Sequence, residues 1–168
     1  MVIMFCKINL LGTDMSFELD RIDRNILNIL QKDSRISNQD LAERIGLSPP
    51  ACLRRVRRLR ESGVIMAEVA LINPRLVGRH INIIVEVEMV RDQLDIYDAF
   101  KRKMDAAPEV TQCYQVTGEV DFLLMLLVAD MESYEAFTRK YLATDANLAK
   151  FRTLISLRRD KFSTAIPL

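Results

Sequence analysis

Cysteine and histidine are scarce in this sequence, and each shortage excludes a class of site. The three cysteines, Cys6, Cys52 and Cys113, are odd in number and lack C-x-x-C spacing, which argues against a disulfide framework and a zinc site. His80 is the only histidine, so a histidine-rich metal site is excluded. Unpaired thiols favour a reducing compartment. We therefore expect a cytoplasmic protein without a metal or other cofactor.

Long apolar runs are also absent. No stretch reaches the roughly 18 apolar residues of a membrane span, so no membrane partner is expected. The apolar residues 1–11 lack a basic segment and a small-residue cleavage site, and therefore make a poor signal peptide. Met15 could equally begin the protein, and we treat residues 1–18 as an N-terminal extension.

The charge of the chain is nearly balanced but unevenly placed. The formal net charge is +1, with 11 basic and 9 acidic side chains in residues 1–72 against 13 and 14 in residues 73–168. With 49% hydrophobic and 28% charged residues, the composition is that of a globular chain that can bury a core. The local basic excess predicts one docking element rather than a generally polycationic surface.

That excess lies in residues 48–60, which hold five arginines and no acid. Ser48 is a good helix N-cap, and proline suits the position after it. The spacing of Leu53, Val56 and Leu59 predicts an apolar row that docks this helix on a core. Five cations on one helix repel each other unless an anion is near, and a duplex carries a phosphate charge about every 1.7 Å of axis. A solvated basic face is the alternative.

Two shorter helices precede the arginine helix. The first is predicted from Asp20 to about residue 31, and the second from Ser37, with Asp40 as its capping partner, to Gly46. A helix, a turn of three or four residues and a second helix match a helix-turn-helix, with the arginine helix in the recognition position. Residues 19–64 are therefore the predicted DNA-binding domain, and a generic three-helix bundle is the alternative.

A linker follows at residues 65–80. Its apolar first part predicts a strand over residues 64–72, and Asn73-Pro74 marks a hinge. The rest of the chain, residues 81–168, reads as strand, helix, strand, strand, helix, strand. We expect strands at residues 81–89, 110–117, 122–128 and 148–157, with helices capped by Asp92 and Asp130. This βαββαβ order predicts a ferredoxin-like domain, and the chain as a whole is predicted to be α+β.

One strand indicates an oligomer. Residues 122–128 are apolar at all seven positions, so both faces of this strand require burial. Both helices of a βαββαβ unit lie on the same face of the sheet, and the open face therefore needs another cover. A second subunit in a symmetric dimer is the simplest cover. The N-terminal arm and the tail 162–168 are the alternatives.

Seven short segments share a pattern with a known family: DRIDRNIL (20–27), RISN (35–38), IGLSP (45–49), RVRRL (55–59), GVI (63–65), NP (73–74) and TGEVDFLL (117–124). Together they closely resemble the Lrp/AsnC, or feast/famine, transcription regulators of bacteria and archaea. The resemblance covers residues 19 to about 162. It implies an N-terminal winged helix-turn-helix, an amino-acid-responsive C-terminal domain, and dimers through the C-terminal sheets that often assemble into octamers.

The resemblance also implies an effector site for a free amino acid or a similar metabolite, bound between dimers near residues 118–121. Gly118 would let the ligand approach the backbone, and Asp121 offers a carboxylate to an ammonium group. An ordinary turn is the alternative for this pair. Thr153 and Ser156 match positions near the family pocket, but Phe151 stands where a second threonine is usual.

These observations predict a homo-oligomeric, sequence-specific regulator that binds double-stranded DNA. Pro50, Ala51 and Arg54 lie early in the arginine helix, where side chains of such helices reach base edges. The later arginines are expected to contact phosphates, namely Arg55, Arg57, Arg58 and Arg60. The hydroxyls at two helix starts, Ser37 and Ser48, are expected to contact phosphates as well.

Two other classes of function differ from a DNA-binding regulator. The sequence shows no nucleophile with a base, no paired-carboxylate motif, no phosphate-binding glycine loop and no metal cluster, so an enzyme is not expected. The remaining alternative is a stand-alone metabolite sensor whose basic helix meets an acidic protein partner.

Overall fold

The computed structural model describes residues 18–168, which divide into two compact units. The described part of the first comprises residues 18–71 with Phe162–Leu168, and the second is Ile72–Lys161. The first holds three helices, α1 (Arg21–Leu30), α2 (Asn38–Ile45) and α3 (Pro49–Glu61). In the second, a 3-10 turn (Pro74–Val77) precedes β1 (Ile81–Met89), α4 (Leu94–Asp105), β2 (Val110–Gln115), β3 (Phe122–Val128), α5 (Met131–Phe137), a π-helical turn (Thr138–Leu142) and β4 (Leu148–Ile155).

Local capping sets the bounds of the first two helices. The Asp20 carboxylate accepts from the Asp23 N–H at 2.8 Å, and the Asp23 carboxylate accepts from the Asp20 N–H at 3.3 Å. Ser37 caps α2 by accepting from the Asp40 N–H, and Gly46 ends that helix at φ 70°, which favours glycine. These ends confirm the predicted starts of both helices.

The apolar face of α3 differs from the predicted one. The buried residues are Cys52, Val56 and Leu59, whereas Leu53 is 54% exposed. Neighbouring helical residues differ by about 100° in direction, so only one of Cys52 and Leu53 can share a face with Val56 and Leu59. Ser48 occupies the N-cap position, but its side chain makes no capping hydrogen bond.

The strand predicted over residues 64–72 is wrong. In the described chain no strand is assigned between the end of α3 and the start of β1, and Met66, Val69 and Leu71 are exposed. A β-strand needs a hydrogen-bonded neighbour, which apolar composition alone does not provide. The hinge expected at Asn73 is a 3-10 turn that the Asn73 side chain caps. The domain boundaries expected at residues 64 and 80 stay predictions.

The C-terminal residues do not extend the second unit. Phe162–Leu168 belong to the first, where the Gln31 amide donates to the Ile166 carbonyl at 2.9 Å and accepts from the Ile166 N–H at 2.9 Å. The sequence had assigned this tail to the C-terminal domain. Its packing with the helices weakens the alternative in which it covers the sheet, and the N-terminal arm lies outside the described residues.

The second unit is the predicted ferredoxin-like fold. Its four strands form an antiparallel sheet in the order β2-β3-β1-β4. One face, which includes Val85, Val87 and Leu124, packs in a common core with Phe100 of α4 and Phe137 of α5. Asp130 caps α5 as expected. The N-cap of α4 is Gln93 rather than Asp92. The Asp92 carboxylate instead adds to the effect of Asp121, which raises the pKa of the Tyr97 hydroxyl.

The opposite face of the sheet is open within the second unit. Along β3 the side chains alternate between buried and half-buried, and Leu123, Met125 and Leu127 form the half-buried set. The register pairs Met125 with Ile84 of β1, and Ile84 with Leu154 of β4, so an apolar band crosses the open face.

None of the helices in residues 18–168 has the length and apolar character that a membrane crossing requires.

Candidate DNA-binding and effector sites

The turn between α2 and α3 is held by side chains from both of its ends. The Asn38 amide donates to the Pro49 carbonyl at 2.8 Å, which joins the starts of the two helices. The Ser37 hydroxyl donates to the Asp40 carboxylate at 2.8 Å while it caps α2. Ser48 and Pro50 are exposed and Ala51 is half-buried, so the first turn of α3 is accessible in this unit. The Ser37 hydroxyl, which was predicted to contact phosphate, is therefore already hydrogen-bonded to Asp40 within the fold.

Two of the five arginines bind carboxylates at the start of α1. The Arg55 Nη1 lies 2.7 Å from the Asp20 Oδ2 and 2.9 Å from the Asp23 Oδ1, and the Arg58 Nη2 contacts the Asp23 Oδ2. Asp23 is completely buried. The Asp23 N–H, and then Arg55, hold the pKa of Asp20 below its ordinary value. These pairs join the first turn of α1 to the middle of α3.

Two further arginines have acidic partners nearer in the chain. The Arg57 Nε lies 2.7 Å from the Glu61 Oε1, and the Arg60 Nη2 lies 2.6 Å from the Glu68 Oε1. Four of the five cations therefore meet carboxylates of the same unit, so repulsion among them does not by itself require DNA phosphates. Arg54 is exposed and makes no hydrogen bond or ion pair with any residue of the described chain.

Sequence reasoning missed the two aspartates that organise this cluster. Asp20 was read only as the start of a helix, and Asp23 was given no role. The available signal was a pair of acids three residues apart at a helix start, which is the spacing of a reciprocal cap. That spacing indicates the cap, but it does not indicate arginines more than 30 residues further along the chain.

In the second unit, Asp121 holds three elements together. Its carboxylate accepts from the Met89 N–H at 2.7 Å and from the Tyr97 hydroxyl, and its own N–H donates to the Val87 carbonyl at 2.9 Å. The hydrogen bond to Asp121 raises the pKa of Tyr97, and burial acts in the same direction. A carboxylate has about four acceptor positions, so Asp121 can still accept a donor from a ligand. Tyr97 is a neighbour of the candidate site that the sequence did not indicate.

Gly118 lies in the exposed loop that leads to Asp121. Its φ of 124° falls where residues with a Cβ rarely occur, and no atom stands within 4 Å of a Cβ built there. The backbone conformation therefore accounts for glycine at this position. The same exposed, unobstructed backbone leaves room for the close approach of a ligand.

Thr153 and Ser156 lie away from this loop within one chain. Asp121 bonds to β1 at Val87, whereas the Ser156 N–H bonds at Asn82, about 17 Å further along an extended strand. Thr153 pairs with Val85 on the helix-covered face, where its hydroxyl is hydrogen-bonded to Tyr134. One chain therefore does not bring the four predicted effector residues together.

A small cleft adjoins the loop on the open face of the sheet. Its volume is about 100 Å³, and it is lined by Glu86, Glu88, Glu119, Val120, Lys150, Phe151 and Arg152. The Arg152 Nε lies 2.5 Å from the Glu86 Oε2, and this contact lowers the pKa of Glu86. Charges of both signs therefore lie beside the Gly118 loop.

Comparisons with known proteins agree with both units. Residues 19–66 match the winged helix-turn-helix DNA-binding family, and residues 82–166 match the Lrp/AsnC ligand binding domain. The chain is 42% identical over 155 residues to the HTH-type transcriptional regulator y4tD of Sinorhizobium fredii, covering 92% of each protein. It is 39% identical to the leucine-responsive regulatory protein of Escherichia coli, covering 89% of this chain and 91% of that protein.

A solved structure with a bound amino acid is also similar. The transcriptional regulator NMB0573 of Neisseria meningitidis, in complex with L-Met, superposes with a TM-score of 0.83 at 31% identity. The match covers 89% of this chain and 97% of that one, so it includes both units.

Proposed function

Since the chain belongs to the Lrp/AsnC family of transcriptional regulators, we propose which of its residues meet DNA, effector and partner subunit. Its two matched domains make it a ligand-responsive DNA-binding regulator, in a family of transcription regulators and not of enzymes. The match to a DNA-binding family also sets aside a sensor that acts only through protein partners. Because the target is DNA, we propose the cytoplasm as its place of action.

The DNA contact is proposed at the first two turns of α3. Arg54 is the observation that supports it most, because this exposed guanidinium has no partner in the described chain and lies one turn from the accessible helix start. Pro50 and Ala51 are proposed to face base edges together with Arg54. The side-chain hydroxyl of Ser48, at the start of α3, is proposed to contact a phosphate. Arg57 is the next proposed phosphate ligand, since its Glu61 pair is exposed and such pairs are weak.

The effector is proposed to be a free amino acid near Gly118 and Asp121. The L-Met complex of the Neisseria relative supports an amino acid as the ligand class. The adjoining cleft supports the location, because its carboxylates suit an ammonium group and Lys150 and Arg152 suit a carboxylate. Ser156 lies too far from the loop in one chain, so its proposed part in the pocket requires another subunit. Thr153 lies on the helix-covered face with its hydroxyl bonded to Tyr134, so its part in the pocket stays a prediction.

We propose a dimer through the open face of the sheet. The half-buried apolar band of Leu123, Met125 and Ile84 supports this, since such a band on a sheet face is normally covered. Association of dimers into octamers is the further assembly that the family resemblance implies. The dimer also gives the regulator two copies of α3, which paired DNA half-sites require.

Thermal unfolding in the presence of each of the twenty amino acids tests the effector proposal. A ligand at 100 times its Kd stabilises the folded state by about 2.7 kcal/mol, which raises Tm by several degrees. The expected result is a rise with one amino acid or a few related ones, and its loss in the Gly118→Val variant. An equal rise in that variant would place the binding site elsewhere.

A further inference from the structure

We propose that Asp20, Asp23, Arg55 and Arg58 form an orienting clamp that sets the direction in which α3 meets DNA. In this scheme Arg55 is a positioning residue and not a phosphate ligand. The inference rests on the proposed use of α3 as the element that contacts DNA, and it assigns roles to residues within that element.

The clamp is built around a buried charge. Asp23 is 0% exposed, and its carboxylate accepts from the Arg55 Nη1 at 2.9 Å, from Arg58 and from the Asp20 N–H at 3.3 Å. A buried carboxylate is costly unless it is paired and hydrogen-bonded. Both guanidiniums therefore neutralise the buried Asp23 carboxylate. If both turned away towards solvent, its negative charge would be left without a partner.

The positions of the two arginines explain why the clamp orients the helix. Arg55 and Arg58 are three residues apart, which places their anchor points about 4.5 Å apart along the axis and about 60° apart around it. Apolar packing of Val56 and Leu59 is non-directional, so it sets which face is buried without setting the direction of the charged side chains. Two charged anchors on the first turn of α1 restrict rotation of α3 about its own axis, and so fix which residues point outward.

The same geometry divides four of the five arginines into two groups. Arg54 precedes Arg55, and Arg57 precedes Arg58, by one residue and hence by about 100° around the helix. With one pair held against α1, the other pair is turned outward. The clamp itself carries two cations and two carboxylates, so it offers no net charge to phosphates.

Arg55→Lys separates the two roles. Lysine keeps the charge and remains a good phosphate binder, but it lacks the planar fork that reaches Asp20 and Asp23 together. The probes are a duplex that the wild-type protein selects from a random-sequence pool and a scrambled duplex of the same length. Fluorescence anisotropy at several salt concentrations gives both affinities and the slope of log K against log salt.

If Arg55 positions the helix, Arg55→Lys lowers affinity for the selected duplex about tenfold and leaves the scrambled duplex and both salt slopes unchanged. If Arg55 is a phosphate ligand, the lysine variant binds both duplexes as the wild type does, and the clamp is refuted. Arg139→Lys is the matched control, since Arg139 makes an exposed pair with Glu135 in the second unit, and it should bind as the wild type. Arg57→Ala tests the proposed phosphate contact separately, and it should reduce the slope of log K against log salt by about one.

Asp20→Asn provides a second test that does not disturb the buried carboxylate. The Asp20 side chain is half exposed, and the amide keeps its shape while weakening one of the two bonds to Arg55. The clamp predicts a lower ratio of selected to scrambled affinity. A phosphate-binding Arg55 would instead be released from a competitor, so both affinities would rise with an unchanged ratio, and that result overturns the proposal.

Discussion

Met125 lies at the centre of the open sheet face, and its replacement by lysine should dissociate the proposed dimer. It stands in a row across the sheet with Ile84 and Leu154, and it is half-buried before any partner is considered. A second subunit on this face would remove the side chain from water. Met125→Lys would therefore place an ammonium group in an apolar interface.

The expected effect follows from the symmetry of the interface. Burying an unpaired charge costs several kcal/mol. A lysine that turns its ammonium towards water still forgoes burial of the methionine side chain, which is worth about 2 kcal/mol. A two-fold interface contains the substitution twice, which gives about 4 kcal/mol in total. At 1.4 kcal/mol for each factor of ten, the dimer Kd should rise about 1,000-fold.

Sedimentation equilibrium over nanomolar to micromolar concentrations measures this Kd. Met131→Lys is the matched control, since it makes the same substitution at an exposed position on α5. It should dimerise as the wild type does. A Met125→Lys protein with the wild-type Kd, or a wild-type protein that is monomeric at micromolar concentration, would refute the reasoning.

Three other predictions follow from the same contacts. The Asp121→Asn variant should keep the wild-type affinity for DNA without ligand but lose the change in affinity that the amino acid causes, because the amide keeps the shape without the charge. If the variant responds to the amino acid as strongly as the wild type, Asp121 is only a turn residue that bonds Tyr97. Because the pKa of Asp20 is lowered in the fold, its ionised form stabilises at neutral pH, and this contribution is lost as the pH falls through the folded-state pKa. The Tm difference between wild type and Asp20→Asn in calorimetry should therefore shrink towards zero as the pH falls below the ordinary range of an aspartate pKa, and a constant difference would exclude an ionic cause. Leu59→Ala should cost about 2–5 kcal/mol in urea unfolding and Leu53→Ala less than about 0.5, since only Leu59 is buried; equal costs would contradict the observed face of α3.

The features that sequence predicted well are governed by neighbouring residues. Capping side chains and hydrophobic spacing act over a few positions, which is why the starts of α1 and α2 and the bounds of β1 and β3 were predictable. The order of strands and helices then leaves few topologies, and the ferredoxin-like sheet is one of them.

The features that sequence predicted poorly depend on distant partners. Arg55 and Asp23 are 32 positions apart, so the neutralisation of the arginine helix could not be inferred from charge pattern. The Asp121 carboxylate binds Met89 and Tyr97, 32 and 24 positions earlier, and only the folded sheet brings these together. The apolar residues after α3 suggested a strand, but composition does not provide the neighbour that a strand must pair with.

We propose that an amino acid bound in the second unit controls DNA binding by the first. It is tested most directly by titrating a selected duplex with protein at increasing concentrations of the amino acid that most raises Tm. Saturating amino acid should change duplex affinity by a definite factor, and saturating duplex should change amino-acid affinity by the same factor. Tight binding of that amino acid with no change in duplex affinity would contradict it.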